Sequence, residues 1–256
     1  MIPPLGVPPP GFCAVAVMAK TPRPGHVKTR LVPPLTAEEA TALNAAFLRD
    51  VTATIAAVRR DLPVAGFVAY APAGGEALFD GLLAPHTGLV LADGSVPLPP
   101  GVSGIGRSLI HAMRGLLARG FDAVCLVNSD SPTLPAAILD QAVAALAGGR
   151  QVVLGPAEDG GYYLIGIPAA LAARAETLFR DIPWSTPGVT AATLARAAEA
   201  SLGVLCLPRW YDVDEPAALR RLVEELRETG TAALAPHTAA VVARLGLARR
   251  LADPVT

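Results

Sequence analysis

The sequence predicts an α/β fold, a mostly parallel sheet with helices on both faces. Three observations carry this: continuous small-apolar runs that read as buried strands, intervening segments with apolar residues at helical spacing, and Pro- and Gly-rich punctuation where the two alternate. A length of 256 residues gives one large α/β domain or two small ones, and 52% hydrophobic content supplies a sizeable core for either.

The elements follow in order. Cys13 to Ala19 is a buried strand feeding the punctuated stretch Thr21 to Pro34. Thr36 with Glu39 forms a capping box, and Leu43, Phe47, Val51 and Ile55 then mark one face of a helix. Strands are expected at Val64 to Ala71, Gly88 to Ala92, Ala123 to Val127, Val152 to Leu154, Tyr162 to Ile167 and Gly203 to Leu207. Helices are expected at Ser108 to Leu117, Pro135 to Leu146, Ala169 to Phe179, Val189 to Ala200 and Leu219 to Leu226. The main domain is read as 1–228, followed by an Ala-rich extension, 229–256, with a helix around Ala239 to Leu251.

Composition excludes several classes. A net charge of −1 argues against a nucleic-acid partner, which would call for a basic excess. Cys13, Cys125 and Cys206 are odd in number, far apart and set in apolar runs, so they read as small buried hydrophobes rather than a disulfide framework or metal site. The chain has no run of apolar residues long enough to cross a membrane, and Met1 to Pro10 lacks the positive charge of a secretory leader. The expectation is a cytoplasmic protein without a membrane partner, with homodimerisation left open.

Of 21 basic residues only Lys20 and Lys28 are lysines, and both fall in the loop from Lys20 to Arg30. Lys20, Arg23, Lys28 and Arg30 suit a di- or triphosphate, Gly25 gives the loop a turn, and Pro22 and Pro24 stiffen it; the alternative is a solvated basic turn. In an open α/β sheet ligands bind beyond the carboxyl ends of strands, and Asp130 stands at such an end. There it can ligate Mg²⁺ or Mn²⁺ together with substrate phosphates, or cap the helix that follows. Asp212 and Asp214, at i and i+2, point the same way on an extended segment and can supply a second metal ligand, unless Asp214 caps the helix after Pro216. Asp159 precedes Gly160 and Gly161, whose backbone can approach a ligand closely, while Tyr162 can stack or hydrogen-bond; a plain turn is the alternative. The four histidines show no zinc spacing, and no nucleophile elbow stands out.

These motifs together, Ala19-Lys20-x-Pro22-x-x-Gly25-x-Val27-Lys28-Thr29-Arg30-Leu31, Ser129-Asp130-x-Pro132, Gly155 to Gly166, Ile182 to Pro187 and Asp212-Val213-Asp214-x-Pro216, resemble a bacterial family of nucleotide-diphospho-sugar transferases. That family is described as glycosyltransferase-A-like, or selenodomain-associated transferase 1, and the likeness runs from about Phe12 to Glu228. The resemblance implies a single Rossmann-like GT-A domain and a metal-dependent transferase. Its catalytic residues would be Lys28, Arg30, Asp130 and Asp159, with Lys20, Arg23, Gly25, Lys28 and Arg30 on phosphate. Asp130, Asp212 and Asp214 would hold Mg²⁺ or Mn²⁺, and Asp159, Gly160, Gly161, Tyr162 and Trp184 would contact sugar or acceptor. The partners implied are a nucleotide or nucleotide-sugar and a small-molecule acceptor.

More distantly, the basic loop and the late Asp-x-Asp are similar to phospholactate guanylyltransferase and molybdenum-cofactor nucleotidyltransferases. The chain departs from the family where Asn128 to Leu134 replaces Gly-Ser-Asp-Cys-Pro-Asp-Leu and where Ile105 to Leu109 replaces Leu-Gly-Glu-Arg-Met. Three functions follow: glycosyl transfer from an NDP-sugar, nucleotidyl transfer from an NTP with release of pyrophosphate, and an inactive homologue that binds a nucleotide or partner.

Overall fold

The computed structural model describes residues 7–58 and 63–252; the first residues of the Met1 to Pro10 segment and the last four of the C-terminal extension lie outside it. Seven strands, β1 (Cys13–Lys20), β2 (Val64–Ala71), β3 (Gly88–Leu91), β4 (Ala123–Asn128), β5 (Val152–Pro156), β6 (Tyr162–Pro168) and β7 (Val204–Cys206), form one sheet in the order β3-β2-β1-β4-β6-β5-β7. Only β6 runs against the rest, pairing antiparallel with both β4 and β5.

β1 shows why its apolar run is continuous. Val15 and Val17 pack on one face with Leu48 and Ile55 of α1 (Ala37–Val58) and Leu139 of α3 (Ala136–Ala147). Ala14 and Ala16 pack on the other with Ile110 and Met113 of α2 (Ile105–Leu117). Alternate side chains meet opposite faces and both faces are covered, so a strand without polar alternation is the required solution. Chain connections leave β1 for β2 on one side, while β4 lies on the other, opening a crevice at the carboxyl ends of β1 and β4.

The capping box is present: Thr36 donates its N–H to Glu39 Oε2 at 3.0 Å, and Glu39 donates back to Thr36 Oγ1 at 3.2 Å. The second face of α1 holds Leu43 and Phe47 in a further cluster with Val213, α6 (Pro216–Glu225) and the C-terminal helices. Asp50 on α1 is 1% exposed and accepts bonds from the backbone N–H groups of His237 and Thr238 and from Thr238 Oγ1. It thereby caps α8 (Pro236–Arg244) from a neighbouring helix.

Three sequence expectations change. The helix at 169–179 is broken into a 3₁₀ turn, one turn of α4 (Ala172–Ala175) and a second 3₁₀ turn, with Ala175, Leu178 and Phe179 buried. The helix around 239–251 is divided: α7 (Thr229–Leu234) stops before Pro236, and Gly246 in the left-handed region (φ +63°) ends α8 and starts α9 (Leu247–Arg250). Cys13 and Cys125 are buried, but Cys206 on the edge strand β7 is exposed. The helix read as Val189 to Ala200 is present as α5 (Val189–Glu199). Among the described residues no helix is long and apolar enough to cross a membrane.

Candidate active site

The loop after β1 turns its lysines in different directions. Lys28 adopts φ +49°, a left-handed conformation uncommon for a side-chain-bearing residue, and its side chain is only 3% exposed. Its ammonium lies 2.6 Å from Asp130 Oδ1 and 2.9 Å from Asp214 Oδ1, and donates to the Val213 carbonyl at 3.0 Å. The Phe47 ring lies 5.2 Å beneath it. An ammonium has three donors, and all three are taken.

Burial alone would depress the Lys28 ammonium, but the attraction of Asp130 and Asp214 wins and holds it above the usual lysine range. Burial would likewise raise Asp214, yet Lys28 holds that carboxyl below its ordinary value. Lys28, expected from the sequence on phosphate, is held in an internal ion pair that fixes two carboxylates while it also borders the cleft at the strand ends.

Both acid segments are tied together by backbone as well. Val213 donates its N–H to the Asp130 carbonyl at 2.9 Å, and Ser131 Oγ donates to the Tyr211 carbonyl at 2.8 Å. Ser129 Oγ donates to Asp130 Oδ1 at 2.8 Å. The helix-capping alternatives fall away: the N-cap of α3 is Pro135 and that of α6 is Glu215, neither with a side-chain cap.

Asp212 has no cation beside it. Burial first, then the charges of Asp159, Asp214 and Asp130, push its carboxyl up to about 6. Two of these four carboxylates, Asp130 and Asp214, are paired with the buried Lys28 ammonium. Among the described residues no three His, Cys, Asp or Glu side chains are gathered closely enough to ligate one ion, so Asp130, Asp212 and Asp214 are not a preassembled triad; Lys28 sits between two of them. The uncompensated charge around Asp212 and the all-oxygen donor set fit a hard divalent cation, which needs only one or two carboxylates when phosphate completes its shell.

Lys28, Asp130, Asp159 and Asp214 border a cleft of ≈ 680 Å³ at the carboxyl ends of β1, β2 and β4, with Asp212 close enough to feel their charge but not on its lining. Lys20, Lys28, Arg30, Asp130, Asp159 and Asp214 line it, and Ala19, Ala69, Ala71 and Ala92 give it a floor without bulky side chains. Arg23 and Gly25 do not line it. Gly25 serves the loop itself, with φ +76° in the turn closed by His26 N–H on the Arg23 carbonyl.

Asp159 sits on the β5–β6 hairpin, where its Oδ1 accepts the Gly161 N–H at 2.8 Å and Ala157 donates to the Gly161 carbonyl at 2.8 Å. Gly160 has φ +91°, and a Cβ there would stand 2.2 Å from the Pro187 carbonyl oxygen. The absence of a side chain at this glycine lets the hairpin pack directly on the chain's own 183–188 loop. Tyr162 and Trp184 meet edge to face at 6.2 Å and line a smaller chamber off the main cleft.

One residue escaped sequence reasoning altogether. Arg221 of α6 pairs with Glu158 at 2.7 Å and Glu225 at 2.8 Å, and covers the Tyr211 ring at 3.8 Å. It clamps the segments before Asp159 and Asp212 to one another. No local pattern signals this, because its partners come from separate elements.

Comparison with known proteins agrees with this arrangement of the fold. A putative nucleotide-diphospho-sugar transferase from Desulfovibrio desulfuricans G20 is 28% identical over 91% of this chain and 97% of its own, with a TM-score of 0.72. CMP:2-keto-3-deoxy-manno-octonic acid synthetase complexed with CTP is 11% identical over 82% of this chain and 96% of its own, with a TM-score of 0.51. A cytidylyltransferase from Leptospira borgpetersenii serovar Hardjo-bovis is 8% identical over 95% of this chain and 98% of its own, with a TM-score of 0.52. The last two share the fold alone, the Rossmann-like one of nucleotide-sugar transferases. No curated protein matches the chain. Residues 54–186 match the family described as "Uncharacterized protein conserved in bacteria (DUF2064)", and the chain belongs to it.

Proposed function

We propose that the protein is a metal-dependent transferase that moves a sugar from an NDP-sugar to a small-molecule acceptor. The observation that carries this is the convergence, in one ≈ 680 Å³ cleft, of Lys20 and Arg30 of the β1 loop with the carboxylates of Asp130, Asp159 and Asp214, beside which Asp212 lies. Likeness to the Desulfovibrio protein supports the donor class.

In this reading a nucleoside lies over the alanine floor and its diphosphate reaches between Lys20 and Arg30 on one side and the carboxylates on the other. Asp212, with Asp130 or Asp214, would hold Mg²⁺ or Mn²⁺, which when bound supplies positive charge against the leaving diphosphate. Lys28 fixes the Asp130 and Asp214 oxygens before the donor arrives, so little reorganisation accompanies binding. Lys20 and Arg30 stabilise negative charge as the glycosidic bond breaks. Asp159, exposed and at the cleft wall, orients the sugar or accepts the acceptor's proton.

Nucleotidyl transfer is the alternative, with pyrophosphate departing beside Arg30 and the Lys28 ammonium that borders the same cleft. Thermal shift of the protein with the NDP-sugars, their NDPs and the four NTPs, each with Mn²⁺ and with EDTA, tests the choice. Stabilisation by one NDP-sugar and its NDP that disappears in EDTA is the expected result. A larger effect of an NTP would replace glycosyl with nucleotidyl transfer, and no effect of any would overturn both.

A further inference from the structure

The chamber beside the main cleft has a chemistry unlike it. It encloses ≈ 160 Å³, and its walls are Leu109 of α2, Leu126 of β4, Tyr162 and Ile165 of β6, Trp184 and Val189. Leu109, Leu126, Ile165 and Val189 are each no more than 5% exposed, so the walls belong to the packed core on this face of the sheet. Met18, Ile105, Asp159, Ser185 and Thr186 border both spaces, and the chamber therefore opens beside Asp159.

The mouth is built rather than incidental. Trp184 is wedged against the start of α2, where a Cβ on Gly104 would lie 2.7 Å from its Cδ1 and one on Gly106 would lie 3.0 Å from its Cζ2. The next residue, Ser185, is held at φ +62°, and such non-glycine strain persists only where surrounding structure enforces it. Ile105, a large apolar side chain, stands 51% exposed at the opening.

We infer that this chamber receives an apolar six-carbon-sized group, aryl or branched alkyl, carried by the acceptor, whose nucleophilic hydroxyl then lies at Asp159. This rests on the transferase reading above and names the acceptor's class. The volume is near that of a closed cavity that takes benzene, about 150 Å³, and the chamber stands open at its mouth so that the rest of the acceptor can reach the cleft. A sugar ring suits it less well, since its hydroxyls would lose water against leucine, isoleucine and valine, with Asn128, Asp159, Ser185 and Thr186 as the polar side chains of the lining. The sugar consequently stays in the polar cleft, and the acceptor is an amphiphile, not a fully hydrophilic metabolite.

The test is saturation-transfer NMR of the whole chain with benzyl alcohol, with glucose as the polar comparator, alongside the Leu109→Phe and Val189→Phe variants that fill the chamber. A saturable benzyl alcohol signal, absent for glucose and weakened about tenfold or more in either folded variant, is expected. No saturable signal, or one that both folded variants leave unchanged, would overturn the inference. Should both variants unfold, soaking 4-bromobenzyl alcohol into wild-type crystals decides: bromine between Leu109 and Val189 upholds the chamber, and bromine elsewhere or nowhere overturns it. Nucleotide binding is measured on the same samples, so its failure with benzyl alcohol still bound would strike the transferase reading and leave the apolar site standing.

Discussion

Two neighbouring groups of carboxylates at one cleft are held by opposite means. Asp130 and Asp214 are pinned by the buried Lys28 ammonium, which pulls Asp214 below its ordinary value. Asp212 and Asp159 have no cation between them; one is raised to about 6 by burial and like charge, and the other is positioned by a backbone turn. The difference teaches that the first pair is already neutralised and the second is not, so added positive charge gains most at Asp212.

Removing Lys28 breaks the contrast most severely. Lys28→Met leaves two partly buried carboxylates without a counter-charge and is expected to cost about 3–5 kcal/mol in urea unfolding. Adding Asp130→Asn and Asp214→Asn should recover part of that loss; no recovery would mean that Lys28 acts through packing on Phe47 instead.

Next in size is the hairpin that carries Asp159. Gly160→Ala places a methyl against the Pro187 carbonyl in a left-handed conformation, with an expected cost of about 1–3 kcal/mol and a loosened 183–188 loop. Limited proteolysis near Pro187 reads that loosening, and an unchanged digestion pattern would separate Asp159 from the loop.

An ion pair outside the cleft sharpens the scale. Arg250 holds Glu39 with bonds of 2.7 and 3.0 Å, and these hydrogen bonds keep the Glu39 carboxyl below its ordinary 4.5. A depressed folded value means stabilisation that is complete above pH 4.5 and is lost as pH falls through that value. Arg250→Ala should therefore cost less than about 1 kcal/mol at pH 7 and nothing in strong acid, as measured by unfolding at both. A cost that persists in acid would place the role of Arg250 in its contact with the Pro34 carbonyl.

Most strands and their order of appearance were legible because the sheet is covered on both faces, so Cys13 to Ala19 and Val64 to Ala71 had to be unbroken apolar runs. The segment at 169–179 was not, since a 3₁₀ step and a helical turn share composition and differ only in what Phe179 packs against. At the site, the residue types were readable but their partners were not. Lys28 looks like a phosphate ligand in a basic loop; only the fold reveals that Val213 and Asp214, some 185 residues on, take its donors. Gly160 looked open to a ligand for the same reason, with Pro187 remote in sequence. Arg221 carries no local signature at all.

The most direct test of the central claim is a calorimetric titration of Mn²⁺ into wild type and Asp212→Asn, with and without each NDP. In EDTA the variant should be no less stable than wild type, because the amide relieves repulsion. Metal and NDP should strengthen each other's binding in wild type, as linkage requires when they share a site. Asp212→Asn should weaken Mn²⁺ binding about tenfold or more and abolish that coupling. Equal Mn²⁺ affinity in the two proteins, or NDP binding indifferent to metal, would contradict the account.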